Sequence, residues 1–333
     1  MSDIRISFDT MKSEFKRILF ALQFSEYKAK TCAQVFAESS LDGVYSHGVL
    51  RFPRFVEYIK KGYINIDAEP EKKASLGALE QWDGELGPGI LNALAATDRA
   101  MAVADQFGIG CVALANTNHW MRGGSYSWRA AKAGYGFIGW TNTEPNMPAW
   151  GAAESRLGNN PLVMALPVGE QTIVLDMAMT QFSYGKLEDF KIRGEKLPVP
   201  GGFDKNGNIT SDPAEILETM QGLPIGYWKG AGLSMLLDLM AATLSGGDST
   251  RDIGERQDEY GVSQIFIAFT PNIMQNARIQ ARLEKAIEHY KKATPMGENI
   301  ISYPGERTMK TRAENLKKGI PVPQTVWQQI LKL

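Results

Sequence analysis

The sequence predicts an α/β protein in which a mixed or parallel sheet follows a helical N-terminal region. Two observations carry this reading. In the first 65 residues, apolar side chains recur three and four positions apart, the spacing that lines one face of a helix. From about residue 108 the texture changes to short runs rich in β-branched and aromatic residues, with helical patterns between them.

The elements follow in order. After a cap expected at Asp9 or Thr10, Met11, Phe15, Ile18, Leu19 and Leu22 mark one helix face. Ala29, Cys32, Val35 and Phe36 mark a second, which stops before Gly43. The turn Tyr45-Ser46-His47-Gly48 leads to Pro53 and a third pattern at Phe55, Tyr58 and Ile59. Strands are expected at Ile109 to Ala115, Phe137 to Trp140, Leu162 to Leu166, Ile173 to Met177 and Gln264 to Phe269, with helices over Tyr126 to Ala133 and Leu233 to Leu244. Ser211-Asp212-Pro213-Ala214-Glu215 carries a capping residue, a proline at the first helical position and a glutamate three residues after the aspartate, the signature of a helix start. Asn206-Gly207 reads as a turn rather than part of a calcium loop. A charged helix spans 277 to 292, and the tail from Pro304 alternates loops with a short final helix. Met177, Met179, Met235 and Met240 read as core filling. The organisation expected is a helical region over 1–75, an α/β region over 76–300 and a C-terminal segment over 301–333 that packs back on the core.

Composition removes several function classes. With 333 residues and 44% hydrophobic content there is ample material for a large core. The 36 basic residues nearly match the 37 acidic ones, leaving a net charge of −1, and pairs such as Lys60-Lys61 and Lys317-Lys318 are too short to grip a phosphate backbone. No nucleic-acid partner is expected. Cys32 and Cys111 have no metal-type spacing and form no disulfide framework, which fits a reducing compartment. The first twenty residues contain no apolar block of the secretory kind, and Gly232 to Leu244 carries Asp238 and is too short to span a bilayer. The expectation is a cytoplasmic protein with no membrane partner.

Familiar motifs are missing. The third glycine of a dinucleotide-binding fingerprint is replaced by Asn92, Ala113 or Met235 in the three places where the pattern begins. Walker A, G-x-S-x-G and H-E-x-x-H are absent as well. What remains is three histidines. His47 sits in a Ser-His-Gly turn with Arg51 four residues on and Arg54 seven on, an arrangement in which a guanidinium can hold a substrate carboxylate while the imidazole works on the adjacent carbon. A brace for the turn is the competing role. His119, in Asn118-His119-Trp120-Met121-Arg122-Gly123-Gly124, lies just past a strand end, where ligands of α/β proteins bind, or is part of a packed polar loop. His289 belongs to a solvated helix face. Asp176 interrupts an apolar strand and needs a partner, either an imidazole or a loop it caps. Lys229 precedes a helix and could meet a phosphate there. An iron site from His47, His119 and Asp176 lacks the usual H-x-D spacing, so no metal is expected.

Taken together, Tyr45-Ser46-His47-Gly48-Val49, Arg51-Phe52-Pro53-Arg54-Phe55, Asn118 to Gly124, Leu157-Gly158-Asn159-Asn160-Pro161, Leu175-Asp176-Met177-Ala178, Gly226-Tyr227-Trp228-Lys229-Gly230 and Asp258-Glu259-Tyr260-Gly261 resemble the malate/L-lactate dehydrogenase family. The resemblance spans nearly the whole chain. It implies a non-Rossmann α/β fold, hydride transfer between NADH, or alternatively NADPH, and the carbonyl of a small 2-oxo sugar acid, and a homodimer whose subunits both contribute to the site. It also implies that His47 is the proton donor, assisted by Ser46 and Asp176, with His119 as the alternative acid/base group, and that Arg51 or Arg122 holds the carboxylate. Cofactor contacts are implied at Thr143, at Thr172-Ile173-Val174-Leu175-Asp176-Met177-Ala178, at Trp228-Lys229 and at Gly305-Glu306-Arg307. The chain departs from the pattern at Asn159, where Thr is common, and at Glu306, where close relatives can carry His. Within the family the competing substrates are other 2-oxo acids of the malate/lactate type and cyclic imino acids; a cofactor-independent sugar-acid lyase or isomerase, and a sugar-acid binding protein, are the readings of other classes.

Overall fold

In the computed structural model, which describes residues 3–333, a short strand β1 (Asp3–Ile6) leads into α1 (Phe8–Ala21). The cap of α1 is Ser7, not Asp9 or Thr10: its hydroxyl accepts the Thr10 N–H at 3.1 Å, and Asp9 lies inside the first turn, where its charge suits the positive helix end. Met11, Phe15, Ile18 and Leu19 are fully buried against α2 (Glu26–Leu41) and α3 (Phe52–Lys60). Phe15 stacks on Phe52 with ring centroids 4.1 Å apart, and Phe36 meets Phe52 edge-on at 5.1 Å. Each such ring contributes about 1.5–3 kcal/mol by leaving water, so this aromatic cluster holds the turn between α2 and α3 on a rigid base.

A seven-stranded mixed sheet follows. It is built from β2 (Glu71–Leu76), β3 (Leu79–Asp83), β4 (Ile109–Thr117), β5 (Gly136–Thr141), and three later strands, with α4 (Gly89–Phe107) and α5 (Gly124–Lys132) between them. The small strands β6 (Met147–Pro148) and β7 (Ser155–Leu157) pair with each other and precede β8 (Leu162–Val168) and β9 (Gln171–Met177). Beyond β9 come α6 (Tyr184–Arg193), the hairpin β10 (Gly202–Phe203) and β11 (Ile209–Thr210), α7 (Pro213–Thr219), α8 (Trp228–Ser245), α9 (Thr250–Gly254) and β12 (Val262–Phe269). The sheet order is β2-β3-β4-β12-β5-β8-β9, with β3 and β4 parallel and every other neighbouring pair antiparallel. All five strands expected from the sequence are present. β2 and β3 were not anticipated, because β2 is an exposed, polar edge strand without alternation.

Helices cover both faces. On one, the alanines of α4 pack on Val112, Leu114 and Phe266, and a Cβ at Gly110 would clash with the Ala100 carbonyl, so the glycine sets how closely α4 lies on β4. On the other, Leu237 and Ala241 of α8 pack on Ala113, Trp140 and Ile265. Asp238, the charge within this apolar helix, accepts the Thr250 N–H at 2.7 Å and an Asn142 amide N–H at 2.9 Å. Met179 is buried, but Met235 and Met240 are 52% and 47% exposed and are not core, since α8 is apolar on all sides while only one side meets the sheet.

The turn at Asn206-Gly207 forms with Gly207 at φ +80°, and Asp212 caps α7 by accepting the Ala214 N–H at 2.8 Å. Glu215 does not close a capping box; it accepts from the Thr210 hydroxyl at 2.6 Å. After α10 (Pro271–Met274) and the expected α11 (Ala277–Lys291), the tail holds a helix not foreseen there, α12 (Glu306–Lys318). Asn315 is its one buried residue, so it has no apolar stripe to read. β13 (Ile320–Pro323) then pairs antiparallel with β1, and α13 (Gln324–Leu331) packs Trp327 and Ile330 on the N-terminal cluster.

Candidate active site

His47 ends a short 3-10 turn, Tyr45–His47, between α2 and α3. The turn is pinned from below: the Ser40 hydroxyl accepts the Val49 N–H at 2.8 Å, and a Cβ at Gly48 would strike that hydroxyl. This close approach explains the glycine of the Ser-His-Gly sequence. Ser46 Oγ lies 3.0 Å from His47 Nδ1. The long excursion after β4 brings His119 to the same place, with its ring centroid 5.7 Å from that of His47. His119 Nδ1 accepts the Met121 N–H at 2.9 Å, in a turn tight enough to hold Met121 at φ +64°. The neutral His119 ring therefore carries its proton on Nε2.

Arg51 caps α3 and Arg54 lies one turn further on; both reach the cleft beside the two imidazoles. Glu259, nearly fully buried, stands 3.9 Å from Arg51 and accepts the Glu144 N–H at 3.1 Å. The cleft has a volume of about 410 Å³, and Thr143, Asn159 and Tyr184 also face it. Burial pushes His47 down to about 4, with Arg51 and Arg122 adding to the depression and Asp176 opposing it. Burial, Arg51 and His47 likewise hold His119 well below the usual histidine range. Burial and the neighbouring Glu259 raise the Glu144 carboxyl.

Among the expected site residues, Ser46, His47, Arg51, His119 and Thr143 line this one cleft. Asp176 is not among the residues lining it; its carboxylate accepts the Gly124 N–H at 2.9 Å and acts on His47 through its charge. Arg122 does not face the cleft. It is 4% exposed, ion-paired with Asp42, and 3.6 Å from Asp176 through Nε. His289 stands on the exposed side of α11. Arg54, noted beside Arg51 in the sequence, also lines the cleft, whereas Glu144, Asn159, Tyr184 and Glu259 are cleft residues to which the sequence assigned no role. The runs Leu157 to Pro161 and Asp258-Glu259-Tyr260 were visible hints for Asn159 and Glu259, but the distance along the chain between Glu259 and Arg51 hides their contact.

Two of the segments implied for a cofactor meet the strand β9 or the chain just beyond it. β9 is an edge strand of the sheet, and its Val174 N–H donates to the Pro304 carbonyl at 3.0 Å. Gly305 follows at φ +94°, and a Cβ there would lie 3.2 Å from both Val174 N and the Trp128 ring. Glu306 opens α12, paired with Lys291 at 2.7 Å and Lys310 at 3.3 Å, and Arg307 is the next residue. Beyond β9, the Ile225 N–H donates to the Met179 carbonyl at 2.9 Å, which brings Trp228-Lys229 and the start of α8 near the same strand. Two helix N-termini beside an edge strand fit an extended, phosphate-bearing dinucleotide, and Gly305 is a position where a side chain would crowd Val174 and Trp128. Among the described residues no cluster of three His, Cys, Asp or Glu side chains could hold a metal, and no helix is long and apolar enough to cross a membrane.

The malate/L-lactate dehydrogenase family model matches residues 6–331. The 2,3-diketo-L-gulonate reductase of Pasteurella multocida is 46% identical over 333 residues, covering 99% of this chain and 100% of that protein. Among solved structures, sulfolactate dehydrogenase from Methanocaldococcus jannaschii superposes with a TM-score of 0.89 at 28% identity, covering 98% of this chain and 95% of that one. Malate dehydrogenase from Entamoeba histolytica shares the fold, with a TM-score of 0.93 at 24% identity over 99% and 97% of the two chains. The chain is an oxidoreductase acting on CH–OH groups, and it belongs to the malate/L-lactate dehydrogenase family.

Proposed function

We propose that this enzyme reduces 2,3-diketo-L-gulonate to 3-dehydro-L-gulonate with NADH, His47 giving the proton. The observation that carries the reading is the pair of imidazoles stacked beside the Arg51–Arg54 corner. Two guanidiniums can hold a C1 carboxylate, which sets the C2 carbonyl against the histidines. NADH, when bound, supplies hydride to C2. His47 then donates a proton to the developing alkoxide, and Ser46 Oγ, on Nδ1, orients the ring so that Nε2 faces the substrate. His119 is the weaker candidate for the acid. Its Nδ1 is occupied by a backbone N–H, so giving up the Nε2 proton would leave an imidazolate; it serves as a fixed donor to a substrate oxygen. Asp176 favours the imidazolium of His47, and Arg122 braces Asp176 rather than gripping substrate.

Thr143, β9 with Ala178, Trp228-Lys229 and Gly305-Glu306-Arg307 are the proposed contacts of NADH, with NADPH as the alternative to test. A homodimer is proposed as well, because Leu233, Met235, Leu236, Leu239 and Met240 expose an apolar face on α8 that a second copy would cover. Light scattering should then give twice the chain mass. The decisive assay follows NADH absorbance with 2,3-diketo-L-gulonate, with NADPH, pyruvate and oxaloacetate in parallel. Oxidation with the diketogulonate supports the substrate, and a preference for pyruvate or oxaloacetate overturns it. His47→Asn should lower kcat by about 10²- to 10⁴-fold with the fold kept; turnover within a few-fold of wild type would move the acid role to His119.

A further inference from the structure

Asp42 ends α2 as its C-cap, where a helix carries negative partial charge and an acidic side chain is locally unfavourable. It is nonetheless 9% exposed and shared between two guanidiniums: Arg122 on Oδ2, and Arg312 of α12 on Oδ1 at 2.7 Å. Arg122, itself 4% exposed, has no hydrogen-bond partner for Nε among the described residues, and that nitrogen faces Asp176 Oδ2 at 3.6 Å. The approach is tight, since a Cβ at Gly124 would lie 2.6 Å from Asp176 Oδ2 and 3.0 Å from Arg122 Nε. The chain Arg312–Asp42–Arg122–Asp176 thus runs from the helix that opens at Gly305 to the carboxylate whose charge acts on His47.

We propose that Asp42 is a positioning residue for the reaction: it neutralises Arg122 and fixes it against Asp176, and through Arg312 it couples the cofactor-side helix α12 to the proton donor. This rests on the proposed function for the identities of donor and cofactor. His47 faces Asp176 from β9, Arg51 from the start of α3, Arg122 from the loop after β4, and His119 from the same loop. Removing the Asp42 charge leaves Arg122 uncompensated on this set, which disfavours the imidazolium of His47 and draws Arg122 onto Asp176.

The test uses Asp42→Asn and Arg312→Met in the full-length enzyme. With D42N, kcat at neutral pH should fall about tenfold and its basic limb should move about one pH unit lower, with KM within about threefold. In ligand-free protein carrying isotope-labelled histidine, the His47 ring signals should titrate lower by a similar amount; this readout tests the Asp42 link whatever the substrate. With R312M, NADH binding measured by fluorescence should weaken about fivefold while the His47 titration stays in place. Unchanged kcat and unchanged His47 titration in D42N overturn the proposal. If D42N does not fold, R312M decides, and unaltered NADH affinity overturns it. A wild type that neither binds NADH nor reduces a 2-oxo acid sinks the proposed function instead, before any variant is made.

Discussion

Raising the pH should weaken binding of an anionic 2-oxo acid by about tenfold per unit, because the substrate must arrive together with a proton. In the free enzyme burial, Arg51 and Arg122 hold His47 at about 4, so it is neutral above pH 5. The donor must be an imidazolium in the complex. Lifting it from about 4 to near 7 requires about 4 kcal/mol, which a carboxylate at ~4 Å supplies at an effective dielectric of about 20. Between those two values binding takes up one proton, so log KM rises with unit slope while kcat stays level; above the complex value log KM levels off and kcat falls. KM measured from pH 5.5 to 8.5, with calorimetry in buffers of different ionisation enthalpy, counts the proton. A KM independent of pH, with binding heats independent of buffer, would refute the reasoning and leave His47 without a role as acid.

The same depressed histidine makes folding pH-dependent. The unfolded chain protonates His47 below about 6.5 while the native state resists until about 4, so stability is full above the unfolded value and is lost on acidification through this window, by about 3 kcal/mol from this residue; a Tm unchanged between pH 7 and pH 4.5 contradicts it. Phe15→Ala opens a cavity beside Phe36 and Phe52 and should cost about 3–5 kcal/mol, read from the midpoint of denaturant unfolding. Gly110→Ala forces α4 off β4 at Ala100 and should cost about 1–3 kcal/mol by the same measurement.

Periodicity and capping chemistry made much of the fold legible in advance. α1, α2, α5 and α8, and the strands β4, β5, β8, β9 and β12, each bury apolar residues, so the local pattern and the tertiary demand coincide. The polar elements did not show. β2 is solvent-exposed throughout and α12 buries little beyond Asn315, so neither carries a hydrophobic signal. The Met235 and Met240 side chains point the other way, apolar by type yet exposed, because nothing in a uniformly apolar helix says which side meets the sheet.

The sequence by itself determined which side chains could carry acid/base chemistry, since three histidines leave few choices, and it marked the Ser-His-Gly turn and the loop after β4 as places to look. Only the tertiary structure decided how the charges around them are shared. Arg122 and Arg51 are both plausible carboxylate ligands in one dimension; burial gives the first to Asp42 and Asp176 and leaves the second facing the cleft with Glu259 behind it. Ion pairs between residues 80 to 270 positions apart leave no periodic trace in a chain, and a buried charge takes its character from whichever partner the fold brings within a few ångströms.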